Sequence, residues 1–312
     1  MDKIYDAIII VETNFQKNIA EKLVEQFFLN KEVLVVDARN NKIEIQGIEY
    51  QVHLGGLRWV LRSFGDIREL PKLKTKELIG THFTGVNCRF FESFINYEKL
   101  SLIDDGIGTP AMLRGGVFIR TIDWYIRLIA ANMFVFFVFG RLLRTINDII
   151  ERLSNYYTVY EFINNDYTDS LKKVNIKYIK FFDGYQKTKI LEGKVCFIGS
   201  GVNPDLERCL KYVSQQHNHI YYFPHPRENV SPVVEKYVEK IIKPNDTIEN
   251  YFKEHGAPEF IYGSLSSAIL NMKLSKLDCK MAVFTVLSQN DPYFKLFEDN
   301  GICLINTNNI KI

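Results

Sequence analysis

Short apolar runs recur along the chain, and stretches with helical periodicity separate them. The first such pair is AIIIVET and NFQKNIAEKLVEQFF, which together cover residues 7–28. A continuous apolar run of this length is typical of a strand buried on both faces, and apolar positions three and four residues apart indicate an amphipathic helix. Strands and helices that alternate in this way predict an α/β protein with mainly parallel sheets.

The alternation continues through the first half of the chain. The predicted strands are EVLVVDA, a short polar pair within KIEIQGIEYQVHL, KELIG and EKLSLI, and RFFESFIN is the predicted helix between the last two. A Tyr/Asn-rich stretch at 155–169 is assigned neither a strand nor a helix.

A second series of strands and helices starts at KVCFIGSGV. Its predicted strands are KVCFI, HIYYF, EFIYGS and, as the last one, CKMAVFTV, and its predicted helices are NPDLERCLKYVSQQ, VVEKYVEKII, DTIENYFKEHG and LSSAILNMK. The restart predicts two domains, 1–187 and 188–312. Two doubly wound, Rossmann-like α/β domains that face each other across a deep cleft are the expected architecture.

One strongly apolar segment, WYIRLIAANMFVFFVFGRLL at 124–143, interrupts the first domain. Its uncharged centre, 128–140, is shorter than the roughly 20 residues that a membrane-spanning helix needs. Arg127, Arg141 and Arg144 flank this centre. Two interpretations stay open: a helix in the membrane interface with its arginines directed at anionic head groups, or a buried core helix of the same length.

Composition and charge exclude several classes of protein. A formal net charge of +2 gives no case for nucleic-acid binding, and the proportions of hydrophobic and charged residues are those of a globular protein. The five cysteines are scattered and odd in number, which is typical of reduced thiols in the cytosol. The first apolar run is too short for a signal peptide, so we expect a cytoplasmic protein. No GxGxxG or Walker A motif is present, which disfavours a dinucleotide enzyme or a P-loop ATPase.

Candidate chemistry lies where strands end, because ligands of open α/β sheets bind outside the carboxyl ends of the strands. Five groups of unusual residues follow predicted strands directly. They are Thr81, His82 and Thr84; Asp104, Asp105 and Gly106; Gly199, Ser200 and Gly201; His225 and Pro226; and Ser264, Ser266 and Ser267.

The serines at 264, 266 and 267 stand at the start of a predicted helix. Free backbone N–H groups at such a start favour an anion, and added hydroxyls would make a phosphate site. Simple N-capping by one serine is the alternative. The turn Gly199-Ser200-Gly201 is a similar strand-to-helix turn, whose glycines would let a ligand approach the backbone.

Asp104 and Asp105 are adjacent carboxylates at a strand end. Two crowded negative charges raise at least one pKa, which suits a general base. Adjacent residues of an extended chain point to opposite sides, and no second set of ligands is in view, so a shared metal is disfavoured. A solvated turn is the remaining alternative.

His225 lies between Pro224 and Pro226, which restrict the backbone on both sides. A histidine held in this way can donate a proton or a hydrogen bond to a departing phosphate oxygen. The nearby His217 and His219 look like loop histidines and do not form a metal site, since no cysteine or carboxylate stands at ligand spacing.

Taken in order, IDDGIG, YFPHPRE and YGSLSSA resemble the acidic-acidic-Gly, His-Pro and Ser-Ser motifs of bacterial sialyltransferases. These are the glycosyltransferase family 52 and capsular polysialyltransferase type. The resemblance implies a GT-B-like fold, with 1–187 as the acceptor-binding domain and 188–312 as the CMP-sugar-binding domain. It also implies an inverting, metal-independent transfer of sialic acid from CMP-sialic acid to a hydroxyl of a capsule or lipooligosaccharide glycan.

The resemblance assigns roles to the strand-end residues. Asp105 is the expected base, with Asp104 a close second, and His225 the residue that stabilises the leaving phosphate. The donor would be bound by Ser264, Ser266, Ser267, Gly199, Ser200, Gly201, Pro226, Arg227 and Glu228, and the acceptor side would include His82 and Thr84. No cofactor besides the donor substrate is expected.

Two other interpretations stay open: a GT-B glycosyltransferase that uses another nucleotide sugar, such as a UDP-hexose, and a non-catalytic protein on the same fold. The expected partners are the nucleotide-sugar donor and the glycan acceptor. If the acceptor is lipid-linked, the segment 124–144 would contact the anionic inner membrane face peripherally.

Overall fold

The computed structural model describes residues 3–37, 42–45, 48–51, 72–81, 86–106, 108–114, 129, 132–133, 136, 142–182, 188–199, 205–225 and 228–310. The chain divides into two compact units, Met1–Phe181 and Phe182–Ile312. This division falls a few residues before the boundary drawn from the sequence.

Unit 1 is built on an eight-stranded sheet in the order β4-β3-β2-β1-β5-β6-β7-β8. Six of its strands run parallel, and β3 and β4 add an antiparallel extension at one edge. The strands are β1 (Ile4–Val11), β2 (Val33–Asp37), β3 (Lys42–Ile45), β4 (Ile48–Gln51), β5 (Lys74–Gly80), β6 (Asn96–Ile103), β7 (Leu153–Thr158) and β8 (Asn175–Tyr178).

Four of the helices described in unit 1 lie between its strands. They are α1 (Asn14–Phe27), α2 (Val86–Phe94), α3 (Gly108–Leu113) and α4 (Ile146–Glu151). The start of α1 shows how the sequence sets a boundary: the Thr13 hydroxyl accepts from the Gln16 N–H at 3.2 Å, and the Gln16 side chain accepts from the Thr13 N–H at 3.1 Å. This reciprocal capping box ends β1 and begins the helix.

Unit 2 has a six-stranded, fully parallel sheet in the order β11-β10-β9-β12-β13-β14. The strands are β9 (Ile190–Ile198), β10 (Ile220–Phe223), β11 (Lys240–Ile241), β12 (Ala257–Ser264), β13 (Lys280–Thr285) and β14 (Cys303–Asn306). The helices are α5 (Leu206–Ser214), α6 (Ile248–His255), α7 (Ser267–Leu274) and α8 (Pro292–Asp299). Counted within the unit, the order is 3-2-1-4-5-6, that of a Rossmann sheet, and its direction of winding switches between β9 and β12.

Two strands of unit 1, β7 and β8, lie in or after the stretch that the sequence left unassigned. Polar residues hide β7 from a hydrophobicity pattern, yet they are buried because they are paired. Asn155 is 7% exposed, and its side-chain amide donates to Glu77 on β5 at 2.6 Å. Tyr156 and Tyr157 are buried as well, on opposite faces of the sheet, so that β7 is buried on both sides.

Two expectations for unit 2 are wrong. VVEKYVEKII forms a short 3₁₀ turn at Val234–Lys236 and then β11, not a helix. Strand β11 exists because it pairs in parallel with β10, a contact that no local pattern encodes. CKMAVFTV is not the last strand either, since α8 and β14 follow β13.

The apolar segment is described at only a few positions. Ile129, Met133 and Phe136 are helical and more than half exposed, at 58%, 54% and 53%. Their spacing of four and three residues places them on one face of a helix. This exposed apolar face does not agree with the interpretation of the segment as a core helix that buries these side chains. No helix within the described part of the chain is long and apolar enough to cross a membrane.

Arg144 corrects one expectation for this segment. Its guanidinium pairs with the buried carboxylate of Glu92 and donates to the Tyr97 hydroxyl at 2.5 Å. Its backbone carbonyl accepts from the Arg89 guanidinium at 2.9 Å. Arg144 therefore fastens the end of the segment to α2 and is not directed at lipid head groups.

Candidate active site

Asp104 directly follows β6 and is completely buried. Its Oδ2 accepts from the Val159 N–H at 2.7 Å, and its Oδ1 accepts from the Tyr156 hydroxyl. Burial raises the pKa of Asp104 to about 7, although the hydrogen bonds from Tyr156 and Val159 oppose that rise. Asp104 therefore joins the end of β6 to the end of β7 and faces the interior.

Asp105 takes the opposite direction and is partly exposed. Its Oδ1 accepts from both the N–H and the hydroxyl of Thr109, each at 2.8 Å. Gly106 has a φ of +98°, a conformation that favours glycine, and turns the chain from β6 toward α3. The Asp-Asp-Gly sequence thus holds one carboxylate inside the unit and the next at its surface.

The cause of the raised pKa of Asp104 differs from the one expected from the sequence. Charge crowding was the expected cause of a raised pKa, yet burial is the largest cause for Asp104, and repulsion from Asp105 is the smallest of those that act on it. The expectation that the two side chains point to opposite sides agrees with their separate hydrogen-bond partners.

His225 follows β10 in unit 2 and is partly buried. Burial lowers the pKa of its imidazole, and the negative charge of Glu228 acts in the opposite direction. The turn that carries it is closed by the Glu228 N–H, which donates to the His225 carbonyl at 2.8 Å.

The Glu228 carboxylate lies against the chain just after β9. Its Oε1 accepts from the Tyr222 hydroxyl, and its Oε2 accepts from the His225 N–H at 3.0 Å. A Cβ added to Gly199 would lie 2.2 Å from Oε2 of Glu228, a distance that real side chains do not reach. Gly199 therefore admits a protein carboxylate to its backbone, whereas the sequence suggested a ligand there.

The serines lie at the junction of β12 and α7. Ser264 ends β12 and is 5% exposed. Ser266 is the N-cap of α7, and its hydroxyl oxygen accepts from the Ala268 N–H at 3.3 Å. Ser267 is the first residue of the helix. Capping by Ser266, the simpler alternative, thus occurs, and its hydroxyl hydrogen stays available as a donor.

The register of the unit 2 sheet places the candidate site residues of this unit at the carboxyl ends of neighbouring strands. Strands β10, β9 and β12 are neighbours, with Phe223 opposite Ile198 and Ile198 opposite Gly263. His225, Gly199 and the serines therefore follow three adjacent strands at the point where the winding direction switches, which is the usual ligand position in such sheets. Asp104 and Asp105 belong to unit 1. His82, Thr84, Ser200, Gly201, Pro226 and Arg227 lie outside the described residues.

One further carboxylate, Glu249, lies in the first turn of α6. The buried Asn271 of α7 donates its side-chain amide to Oε1 of Glu249 at 2.9 Å, and burial raises the pKa of this acid. Both helices begin on the side of the sheet where the strands end. No sequence signal marks Glu249, because a glutamate in the first turn of a helix is ordinary.

The two other histidines of this region have protein partners. His217 contacts the Tyr262 hydroxyl at 3.1 Å, and His219 contacts Glu239 at 2.8 Å. Across the described residues, no group of three or more His, Cys, Asp or Glu side chains is placed to hold a metal ion.

Three comparisons with known proteins were made: with protein families, with curated proteins and with solved structures. Residues 82–287 match the model of glycosyltransferase family 52. A search of the curated proteins finds no match.

Among solved structures, the chain is similar to an α/β-galactoside α-2,3-sialyltransferase from Photobacterium phosphoreum, with 14% identity, a TM-score of 0.57 and 100% of both chains covered. It also matches the wall teichoic acid polymerase TagF (11% identity, 95% and 79% covered, TM-score 0.49). A third match is the E. coli heptosyltransferase WaaC (11% identity, 98% and 95% covered, TM-score 0.43). The likeness to the first structure confirms the GT-B-like α/β fold.

Proposed function

The chain belongs to glycosyltransferase family 52, and we propose that it is an inverting, metal-independent sialyltransferase that uses CMP-sialic acid. This proposal is supported chiefly by the residues at the carboxyl ends of the strands in the unit 2 sheet. There, His225, Gly199 and the serines at the start of α7 follow three adjacent strands at the switch point. This set of groups suits the phosphate of a nucleotide sugar.

The donor phosphate would lie at the start of α7. The positive end of the helix and the hydroxyls of Ser266 and Ser267 favour an anion there. Ser264, with its small exposed fraction, would line the base of the same site. Ser200, Gly201, Pro226 and Arg227 remain proposed donor-side residues by their place in the sequence.

His225 would act on the leaving group. When the bond between the anomeric carbon and the phosphate oxygen breaks, its electron pair passes to that oxygen, and CMP leaves with added negative charge. Protonated His225 would hydrogen-bond or protonate this oxygen. A preorganised donor at such a position contributes about 10²–10³-fold in rate. Protein groups, not a metal ion, would thus neutralise the phosphate.

Asp105 is the proposed general base. It would take the proton of the acceptor hydroxyl while the hydroxyl oxygen attacks the anomeric carbon from the face opposite CMP, which inverts the centre. Its partly exposed side chain supports this role. Asp104 is less suited, because it is buried and both of its oxygens accept hydrogen bonds from β7 or from the residue that follows it. His82 and Thr84 remain proposed acceptor-side residues.

We further propose that the acceptor is a surface glycan under assembly, of the capsule or lipooligosaccharide kind, and that the protein works in the cytoplasm at the inner membrane face. The exposed apolar side chains of Ile129, Met133 and Phe136 support a peripheral contact within 124–144.

The replacement of His225 tests the assignment. The His225→Ala variant should lose about 10²-fold or more of its kcat with CMP-sialic acid, because the leaving phosphate loses its donor. Its thermal unfolding midpoint should stay close to that of the wild type. His219→Ala is the matched control, since His219 is exposed on the same unit and pairs with Glu239. Near-wild-type turnover by His225→Ala would refute the proposed role.

A further inference from the structure

The Glu228 carboxylate accepts hydrogen bonds from His225 just after β10 and from Tyr222 within β10. Oε2 of Glu228 accepts from the His225 N–H at 3.0 Å, and the Glu228 N–H donates back to the His225 carbonyl at 2.8 Å. Oε1 of Glu228 accepts from the Tyr222 hydroxyl. The backbone that carries the His225 imidazole is therefore fixed by a side chain three residues further along.

The anchor of this arrangement lies in the core of unit 2. Tyr222 is 0% exposed, and its ring stacks on that of Phe197, with ring centroids 5.8 Å apart and an interplanar angle of 16°. Phe197 stacks in turn on Phe284 at 5.9 Å. Because these rings belong to β10, β9 and β13, the hydroxyl that holds Glu228 is fixed by the packed sheet itself.

Gly199 completes the arrangement by leaving room for the carboxylate. An added Cβ would lie 2.2 Å from Oε2 of Glu228 and 2.6 Å from the Tyr222 hydroxyl oxygen. The Gly199 N–H also donates to the Phe223 carbonyl at 2.8 Å, which keeps the ends of β9 and β10 together. Glycine is needed here for space, because any side chain would displace Glu228.

We propose that Glu228 is a positioning residue, which with Tyr222 and Gly199 fixes the backbone of His225 for its action on the leaving phosphate. This inference rests on the proposed role of His225. It reassigns Glu228, which the sequence placed among the donor-binding residues. Both of its carboxylate oxygens accept hydrogen bonds from the protein, so its function is directed at the loop and not at the nucleotide.

The same carboxylate has an electrostatic effect that agrees with this role. Burial lowers the pKa of His225, which disfavours the protonated imidazole needed to assist a departing phosphate. The negative charge of Glu228 raises that pKa in part and so helps His225 to keep its proton.

Steady-state kinetics of Glu228→Ala separate positioning from donor binding. We expect kcat to fall about 10–100-fold, because a misplaced catalytic group costs rate in this range, and KM for CMP-sialic acid to change less than about threefold. Glu239→Ala, which removes an exposed glutamate of the same unit, is the control and should match the wild type. A large rise in KM with an unchanged kcat would overturn the proposal and return Glu228 to the donor site.

Glu228→Gln is the conservative variant that should restore most of the kcat lost in Glu228→Ala. Its side-chain oxygen can still accept from the His225 N–H, and its NH₂ group can donate to the Tyr222 hydroxyl, which also accepts. A Glu228→Gln enzyme as slow as Glu228→Ala, with equal stability, would contradict positioning through these hydrogen bonds.

A double-mutant cycle tests the part of Gly199. Gly199→Ala alone should lower the free energy of unfolding and kcat, since its methyl group collides with the carboxylate. In the Glu228→Ala background the collision with the carboxylate is absent and only the close contact with the Tyr222 hydroxyl remains, so the same change should cost less. Additive effects would show that the two residues are not coupled and would overturn the proposal.

Titration of His225 by NMR keeps this test separate from the proposed function. The Glu228→Gln variant should show a lower His225 pKa than the wild type, because the favourable negative charge is gone. This readout and the cycle in unfolding free energy need no substrate. If the wild type fails to use CMP-sialic acid but both readouts behave as stated, the proposed function fails and the positioning of His225 by Glu228 stands. If the wild type is active but the variant leaves the pKa of His225 unchanged and the cycle is additive, the positioning role fails.

Discussion

Asp104 and Asp105 are adjacent in sequence, yet their surroundings give them different chemistry. Asp104 is buried beside β7. Its pKa is therefore set mainly by burial and by the hydrogen bonds that it accepts from Tyr156 and Val159. Asp105 is held at the surface by Thr109. A proton acceptor for a sugar hydroxyl has to be reachable, so the partial exposure of Asp105 is consistent with its proposed role as the base.

Asp105→Asn should therefore abolish most of the transfer activity. The amide oxygen can keep the Thr109 hydrogen bonds, but the group can no longer take up a proton, and loss of general-base catalysis costs about 10²–10⁴-fold. The measurement is kcat with CMP-sialic acid at saturating acceptor. Asp148→Asn is the control, because Asp148 is an exposed acid that makes similar contacts with Thr145 at the start of α4. Wild-type turnover by Asp105→Asn would rule out Asp105 as the base.

The pKa of Asp104 leads to a prediction about stability. Folding raises this pKa from 3.8 to about 7, so the folded protein holds the proton more tightly than the unfolded chain does. The contribution of Asp104 to stability is thus fully present below about pH 4 and is lost as the pH rises toward 7.

Asp104→Asn removes this titration. The free energy of unfolding of Asp104→Asn relative to the wild type, measured by urea denaturation, should rise between pH 4 and pH 7 and then level off. A difference that does not change over this range would mean that Asp104 is ionised normally inside the folded unit.

What the sequence predicts at this scale is that Asp104 and Asp105 differ in orientation, which agrees with their separate hydrogen-bond partners; that they and His225 are the reactive positions stays a prediction. The sequence does not predict the source of the perturbation. The groups that surround Asp104 come from β7, more than 50 residues further along the chain. For the same reason the sequence points to His225 but not to the close approach of Glu228 to Gly199, which directly follows β9.

The elements that were found from sequence are those with a strong local pattern or a clear cap. The helix α7 begins at the predicted serine, and α1 begins at a capping box. The elements that were missed are stabilised from a distance. Strand β11 consists of two residues paired with β10, and β7 is polar inside because Asn155 binds Glu77.

The exposed stripe in the apolar segment carries a prediction of its own. Replacement of Ile129, Met133 and Phe136 by serine should reduce cosedimentation with vesicles rich in anionic lipid about 10-fold or more, since each buried apolar side chain contributes about 1.5–3 kcal/mol. Leu29→Ser is the control, because Leu29 is an even more exposed apolar residue of unit 1 outside the segment. Equal binding by the triple variant and the wild type would place the membrane contact elsewhere or exclude it.

At the scale of the whole molecule, the chain is two Rossmann-like units, and the alternation of strands and helices was sufficient to predict both. Strand order was not predictable in detail, because register depends on which side chains meet across the sheet. Yet the order in unit 2 locates the candidate donor site, since the switch between β9 and β12 lies next to Gly199 and Ser264.

In the proposed function, unit 2 binds the nucleotide of CMP-sialic acid through the start of α7. Calorimetric titration of the full chain with CMP, UDP, GDP and ADP tests it most directly, together with a Ser266→Ala/Ser267→Ala variant. Asp205→Ala is the matched control, because it removes the N-cap of α5 in the same unit, at a similar cost of about 0.5–2 kcal/mol in stability.

We predict that CMP binds and the other three nucleotides do not, that the double serine variant loses at least about 10-fold in affinity, and that Asp205→Ala binds like the wild type. Binding of UDP as tight as that of CMP, or unchanged CMP affinity in the double serine variant, would mean that the start of α7 is not a CMP site.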